Sequence, residues 1–219
     1  LLECARRRCA NRDMVGVAIG AVGAKREHDI RPERAYNPHD RAGQLLGVDL
    51  LKCSVHIIQH AGVANAKGIV GDLGGASLEL VEVGPKGVGR GETFPLGPLT
   101  LSDDKEFDYG RVSNRVANVL EGSRVLGKGG GDFYAVGGAW RALGRIDIAL
   151  SNHPLGVLHL HEMSRSEVLK VADLVRKQSK RSLEKLEEAA AKRADSLPYA
   201  AVVLERVMLE GQFDRVILS

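Results

Sequence analysis

Apolar and polar positions change rhythm several times along the chain. Residues 68–72 form an apolar run that ends on a carboxylate, and residues 78–83 resume it with near-alternating character, so both are predicted strands around a Gly-rich turn. "GPKGVGRG" reads as a second turn, with residues 92–96 as a third strand. Residues 108–126 carry Val112, Val116, Val119 and Leu120 at helical spacing, which predicts an amphipathic helix. "FYAVGG" is a strand ending in two glycines, and residues 139–149 are the helix after it. Further on, residues 157–163 suggest a short strand. Ser164 and Glu167 make an S-x-x-E capping box that opens a helix to about Lys177. Residues 181–192 are a charged helix. Ser196 and Pro198 open another helix to about Glu210, with Gly211 past its end, and residues 215–219 are a last strand.

The first third is less regular. A basic helix end precedes a predicted strand at 15–21, and residues 44–52 read as a helix end followed by a strand. Between them the pattern is poor, and the stretch 27–60 holds His28, His39, His56 and His60.

Composition narrows the class. The 219 residues allow one or two domains; 44% hydrophobic and 27% charged residues predict a globular fold. With only 4% aromatics, the core rests on Val, Leu, Ile and Ala. A net charge of +3 falls short of a nucleic-acid-binding pattern and is compatible with an anionic substrate. Cys4, Cys9 and Cys53 fit neither a disulfide framework nor a zinc site, so reduced thiols are expected. No apolar run reaches the roughly 18 residues of a membrane span and no signal peptide is visible, which predicts a cytoplasmic protein without a membrane partner. The chain opens without Met and ends on the strand-like "DRVILS", and is read as an internal piece of a longer protein or an incomplete gene product.

Two loops carry the candidate chemistry. Asp72-Leu-Gly-Gly-Ala-Ser77 lies between strands, where successive N–H groups can converge on an anion and Ser77 can add a hydroxyl. Asp72, at a strand end, can hold a hydrated Mg²⁺ or orient a water, and alternation puts Glu79 on the same face as Ser77. The plain alternative is a β-turn. A Rossmann loop is disfavoured because this loop opens a strand, not a helix. The second loop, Val136-Gly-Gly-Ala139, does open a helix, and its amides can face an anion; a Gly turn required only for packing is the alternative.

In this order the two loops resemble a known family. "GIVGDLGGASLELVEV" is similar to the D-[IL]-G-G-G-S-x-E-[LIF] signature of the exopolyphosphatase / guanosine pentaphosphate phosphohydrolase (Ppx/GppA) family, and "FYAVGGAWRALGRI" resembles its second Gly-Gly loop. "FPLGPLTL", "SLPYAAVVLERVM", "DRVILS" and the upstream "NRDMVGVAIGAVGAKRE" also resemble family segments, so the likeness covers roughly residues 1–27 and 67–219. The resemblance implies an α/β fold of the actin-like ATPase (ribonuclease-H-like) type, a mixed sheet with flanking helices plus a helical C-terminal part. It implies a partial first actin-like domain over 1–66, atypical over 27–66. The second domain with the phosphate loops would follow over 67–150. A mainly helical part over 151–219 would end in a strand of that second domain. The implied activity is Mg²⁺-dependent release of terminal phosphate from polyphosphate or guanosine pentaphosphate. Gly74, Gly75 and Ser77 would hold phosphate, Asp72 and Glu79 would bind metal or position water as catalytic residues, and Gly137 and Gly138 would line the opposite wall. No nucleic-acid polymer is implied as partner, and a homodimer is left open.

Two departures from the family stand out. No aspartate before Asp72 (13, 29, 40, 49) fits the D-x-G-[ST]-N loop expected in the first domain. The S-G-x-E-E-A segment that supplies the family's proposed general base is replaced by "CSVHIIQHAGVANAKG", and no acidic residue occurs between Asp49 and Asp72. Impaired turnover is therefore expected, with a catalytically silent polyphosphate- or nucleotide-binding module and an actin-superfamily small-molecule kinase as alternatives. His159 and His161, Trp140 and the run "KRSLEKLEEAAAKR" are read as structural: packing residues and a solvated helix face.

Overall fold

The computed structural model describes residues 67–103, 106–128, 130–151, 156–186 and 191–219. The elements predicted before residue 67, with the three cysteines and His28, His39, His56 and His60, lie outside the described residues.

The β-rich stretch opens with a meander: β1 (Gly68–Leu73), β2 (Leu78–Gly84) and β3 (Gly87–Phe94), each antiparallel to the next. After it, β4 (Asp132–Val136) pairs parallel to β1, and β6 (Arg215–Leu218) pairs parallel to β4. β5 (His161–Ser164) closes the far edge antiparallel to β6, giving the order β3-β2-β1-β4-β6-β5 in one six-stranded mixed sheet. β1 and β4 sit inside the sheet, which is why their sequences are nearly continuous apolar runs.

The helices are α1 (Pro98–Ser102), α2 (Tyr109–Leu120), α3 (Gly138–Ser151), α4 (Arg165–Lys177), α5 (Lys180–Leu186) and α6 (Leu197–Glu210). Asp108 caps α2 through the Arg111 amide, and the Ser164–Glu167 capping box opens α4 as the sequence predicts. α6 is apolar almost all round, and it accordingly lies buried against α1, α2, α3 and α4. The main core joins these helices to one sheet face through Phe133, Trp140, Leu143, Val171, Val203 and Phe213. Trp140 is a packing residue: its ring meets Phe133 edge-on, and its Nε1–H donates to the Ala200 carbonyl at 3.1 Å. On the opposite face Val70, Val81, Val83, Tyr134 and Ile217 form a smaller buried cluster.

Three predicted elements differ in extent: β3, α2 and β5, which runs His161–Ser164 rather than 157–163. β3 begins at Gly87 rather than at residue 92, because Pro85 and Lys86 alone make the turn and an exposed edge strand tolerates its glycines. α2 stops at Leu120, short of residue 126. The chain after it is taken over by Glu92, whose carboxylate accepts from Ser123 Oγ at 2.7 Å and from the Arg124 and Val125 amides at 3.1 Å each. The five-residue α1 has no counterpart in the hydrophobic pattern; its signal is Pro98 at the first helical position. His159 and His161 do not share a strand face, since β5 starts at His161. His161 is buried with Asp147, Nε2 to Oδ2 2.8 Å, while His159 is exposed.

Candidate functional site

The β1–β2 connection is the first half of the site. Gly74 N–H donates to the Ser77 carbonyl at 2.9 Å and closes the hairpin on that side. Among the described residues, no acceptor takes up the N–H groups of Gly75, Ala76 or Ser77, so within them the turn leaves these three donors open. Gly74, Gly75 and Ala76 are exposed; Asp72, Ser77 and Glu79 are half-buried. The loop adopts no left-handed backbone at Gly74 or Gly75, and a Cβ on Gly74 would make only ordinary contact with Ser77.

Register places Asp72 directly across from Glu79. Like charges opposed in this way destabilise a sheet. Ser77 Oγ donates to Glu79 Oε1 at 2.5 Å. Burial raises the Glu79 carboxyl above its ordinary value; the Ser77 hydrogen bond opposes this and the Asp72 charge adds to it.

The second half comes from β4. Asp72 is level with Val136, so the β1 and β4 loops leave the same end of adjacent parallel strands. Gly137 has φ +119°, and a Cβ there would lie 2.7 Å from the Leu73 carbonyl oxygen. Only glycine allows that conformation and that approach. Gly138 is exposed at the first position of α3, where the orphan amides of the helix begin. All seven residues predicted for the site, Asp72, Gly74, Gly75, Ser77, Glu79, Gly137 and Gly138, are thus on these two adjoining loops or the strand ends and helix start that flank them.

One residue of the site escapes sequence reasoning. Arg193 belongs to the run read as a solvated helix face, yet it is half-buried with its guanidinium against Gly138. A Cβ on Gly138 would lie 2.4 Å from Arg193 Nη2 and 3.0 Å from Cζ. Its carbonyl is fixed by the Ser196 and Leu197 amides, at 2.9 and 2.8 Å, in the turn that opens α6. A guanidinium at the positive end of α3 is unfavourable by itself, and an anion between the two would reverse the sign of that interaction. No local motif marks Arg193; only the fold brings it to the loop.

Mg²⁺ is a hard cation that takes one or two carboxylates and completes its shell with water and phosphate oxygens. The opposed Asp72 and Glu79 fit that demand, and a cation between them would relieve their repulsion. Among the described residues no group of three or more His, Cys, Asp and Glu side chains could hold a metal unaided.

An antiparallel three-stranded meander is continued by parallel strands in one mixed sheet, with glycine loops at the shared end of β1 and β4. Over about three quarters of the chain this fold is similar to that of solved Ppx/GppA-type structures. A crystal structure of an exopolyphosphatase from Cytophaga hutchinsonii superposes with a TM-score of 0.63 at 15% identity, covering 71% of this chain and 53% of that one. The Aquifex aeolicus Ppx/GppA enzyme gives a TM-score of 0.62 at 17% identity over 74% of this chain and 56% of its own. The chain therefore spans about half the length of these solved structures. No protein-family model and no curated protein matches it. No helix among the described residues is long and apolar enough to cross a membrane.

Proposed function

We propose that this domain is the phosphate-gripping part of a phosphohydrolase acting on terminal phosphate of polyphosphate or guanosine pentaphosphate, working at reduced rate in this chain. The observation that carries the reading is the convergence of the two glycine loops, with Gly137 packed on the Leu73 carbonyl and Arg193 over Gly138. The shared fold with exopolyphosphatases supports it.

On this reading the Gly75, Ala76 and Ser77 amides hold the terminal phosphoryl oxygens, and Arg193 with the first amides of α3 holds the next phosphate. Asp72 and Glu79 would carry Mg²⁺, which when bound neutralises phosphate charge. Water adds to the terminal phosphorus as the bridging P–O bond breaks, the bridging oxygen leaves with the shortened chain, and the water proton passes to a base. The sequence supplies no carboxylate between Asp49 and Asp72 to be that base. Loss of general-base assistance typically slows such a step by about 10²–10⁴-fold.

That gap also favours a second reading, a binding module without turnover. Long-chain polyphosphate and Mg²⁺ separate the two. Slow phosphate release that disappears in Glu79→Ala supports the hydrolase, saturable binding without release supports the module, and absence of both overturns the phosphate site. ADP formation with a small acceptor would instead mark a kinase.

A further inference from the structure

We infer that Thr100, with Gly97, is a positioning residue that fixes which way the phosphate-loop peptides face; this rests on the phosphate reading of that loop. In a trans peptide the C=O and the following N–H point in opposite directions. Holding the carbonyls of residues 75 and 76 on one side therefore sends the amides of Ala76 and Ser77 to the other.

The segment that begins α1 does this holding. Leu99 N–H donates to the Gly75 carbonyl at 2.9 Å. The Ala76 carbonyl accepts twice, from Gly97 N–H at 3.1 Å and from Thr100 Oγ1 at 2.7 Å. Both lone pairs of that oxygen are used, so flipping the Ala76–Ser77 peptide would cost two hydrogen bonds and turn a carbonyl dipole toward the anion. The bracket is itself rigid. Pro98 and Leu101 are buried, and the Thr100 and Leu101 amides return to the Gly97 carbonyl at 2.9 and 3.0 Å. Backbone meets backbone at Gly97, where a Cβ would lie 2.3 Å from both the Ala76 carbonyl carbon and the Gly75 oxygen.

Tripolyphosphate with Mg²⁺ is the probe, titrated into the whole chain, with the Ala76 carbonyl ¹³C resonance recorded in parallel. Thr100→Val keeps the side-chain shape and removes the hydroxyl. It is expected to weaken binding about five- to tenfold, the range of one net hydrogen bond. The Ala76 ¹³C′ signal should move upfield, while the unfolding midpoint falls by no more than the loss of one net hydrogen bond. Thr100→Ser should restore both affinity and shift. Gly97→Ala should displace the loop and weaken binding more than Thr100→Val. Wild-type affinity in Thr100→Val, or failure of Thr100→Ser to restore it, would overturn the positioning role. If the wild type binds no tripolyphosphate, the phosphate reading falls. The bracket then stands or falls on whether the ¹³C′ shift responds to Thr100→Val and recovers in Thr100→Ser.

Discussion

Glu79 is where stability and chemistry pull in opposite directions. Its carboxyl is raised from the ordinary 4.5 by burial, partly offset by Ser77, and further by the Asp72 charge. A raised carboxyl binds its proton more tightly in the folded state. Its stabilising contribution is therefore complete below 4.5 and is lost as pH rises through the folded value. Glu79→Gln removes the repulsion and keeps a partner for Ser77. The expected outcome is a neutral-pH stability equal to wild type or higher, by an amount on the order of 1 kcal/mol, and, on the proposed function, loss of phosphate release. Urea unfolding at pH 5 and pH 8 checks the first part: a marked loss of stability in Glu79→Gln at pH 8 would show that the carboxylate is structurally required. Arg193 is the converse case, a cation held at a positive helix end. Arg193→Met should weaken tripolyphosphate binding about tenfold or more, as expected for a charge-assisted contact, with little change in melting temperature.

Elements position these residues, and Glu92 shows how. From β3 it reaches the loop between α2 and β4. Burial pushes its carboxyl up, but the Ser123 hydroxyl and the Val125 and Arg124 amides outweigh that and leave it below its ordinary value. Its contribution is present above pH 4.5 and is lost as pH falls through the lowered value, the opposite sign to Glu79. Glu92→Gln should cost about 1–2 kcal/mol at neutral pH and flatten the acid limb of the stability profile, read by thermal melts across pH 3–7. At the other end of the sheet Arg215 brackets Asp132 and Glu162, at 2.6 and 2.9 Å, and ties β4, β6 and β5 into register. The sequence announces α4 and α6 through a capping box, a Pro-initiated start and a terminal glycine, all local signals. It overruns α2, because the event that ends that helix is a long-range capture by Glu92. α1 and Arg193 are illegible for the same reason: their meaning lies in what they touch, the Gly75–Ala76 carbonyls and Gly138, and neither contact leaves a periodic trace. The placement of Asp72, Glu79 and the glycines on strand ends and loops is legible because strand alternation and loop position are encoded within a few residues.

At the scale of the molecule, a mixed sheet delivers two loops from adjacent parallel strands to one edge. Gly137 allows that arrangement, since its positive-φ backbone lies on the Leu73 carbonyl. The chain spans about half of the solved Ppx/GppA-type structures. Phosphate grip by the two glycine loops is directly measurable. Its most direct test is a map of backbone amide shifts as the chain is titrated with tripolyphosphate and Mg²⁺. Saturable shifts are expected, concentrated at Gly75, Ala76, Ser77 and Gly138 and lost on addition of excess salt. Shifts confined to the exposed lysines of α5, or no saturable shift at the two glycine loops, would contradict it.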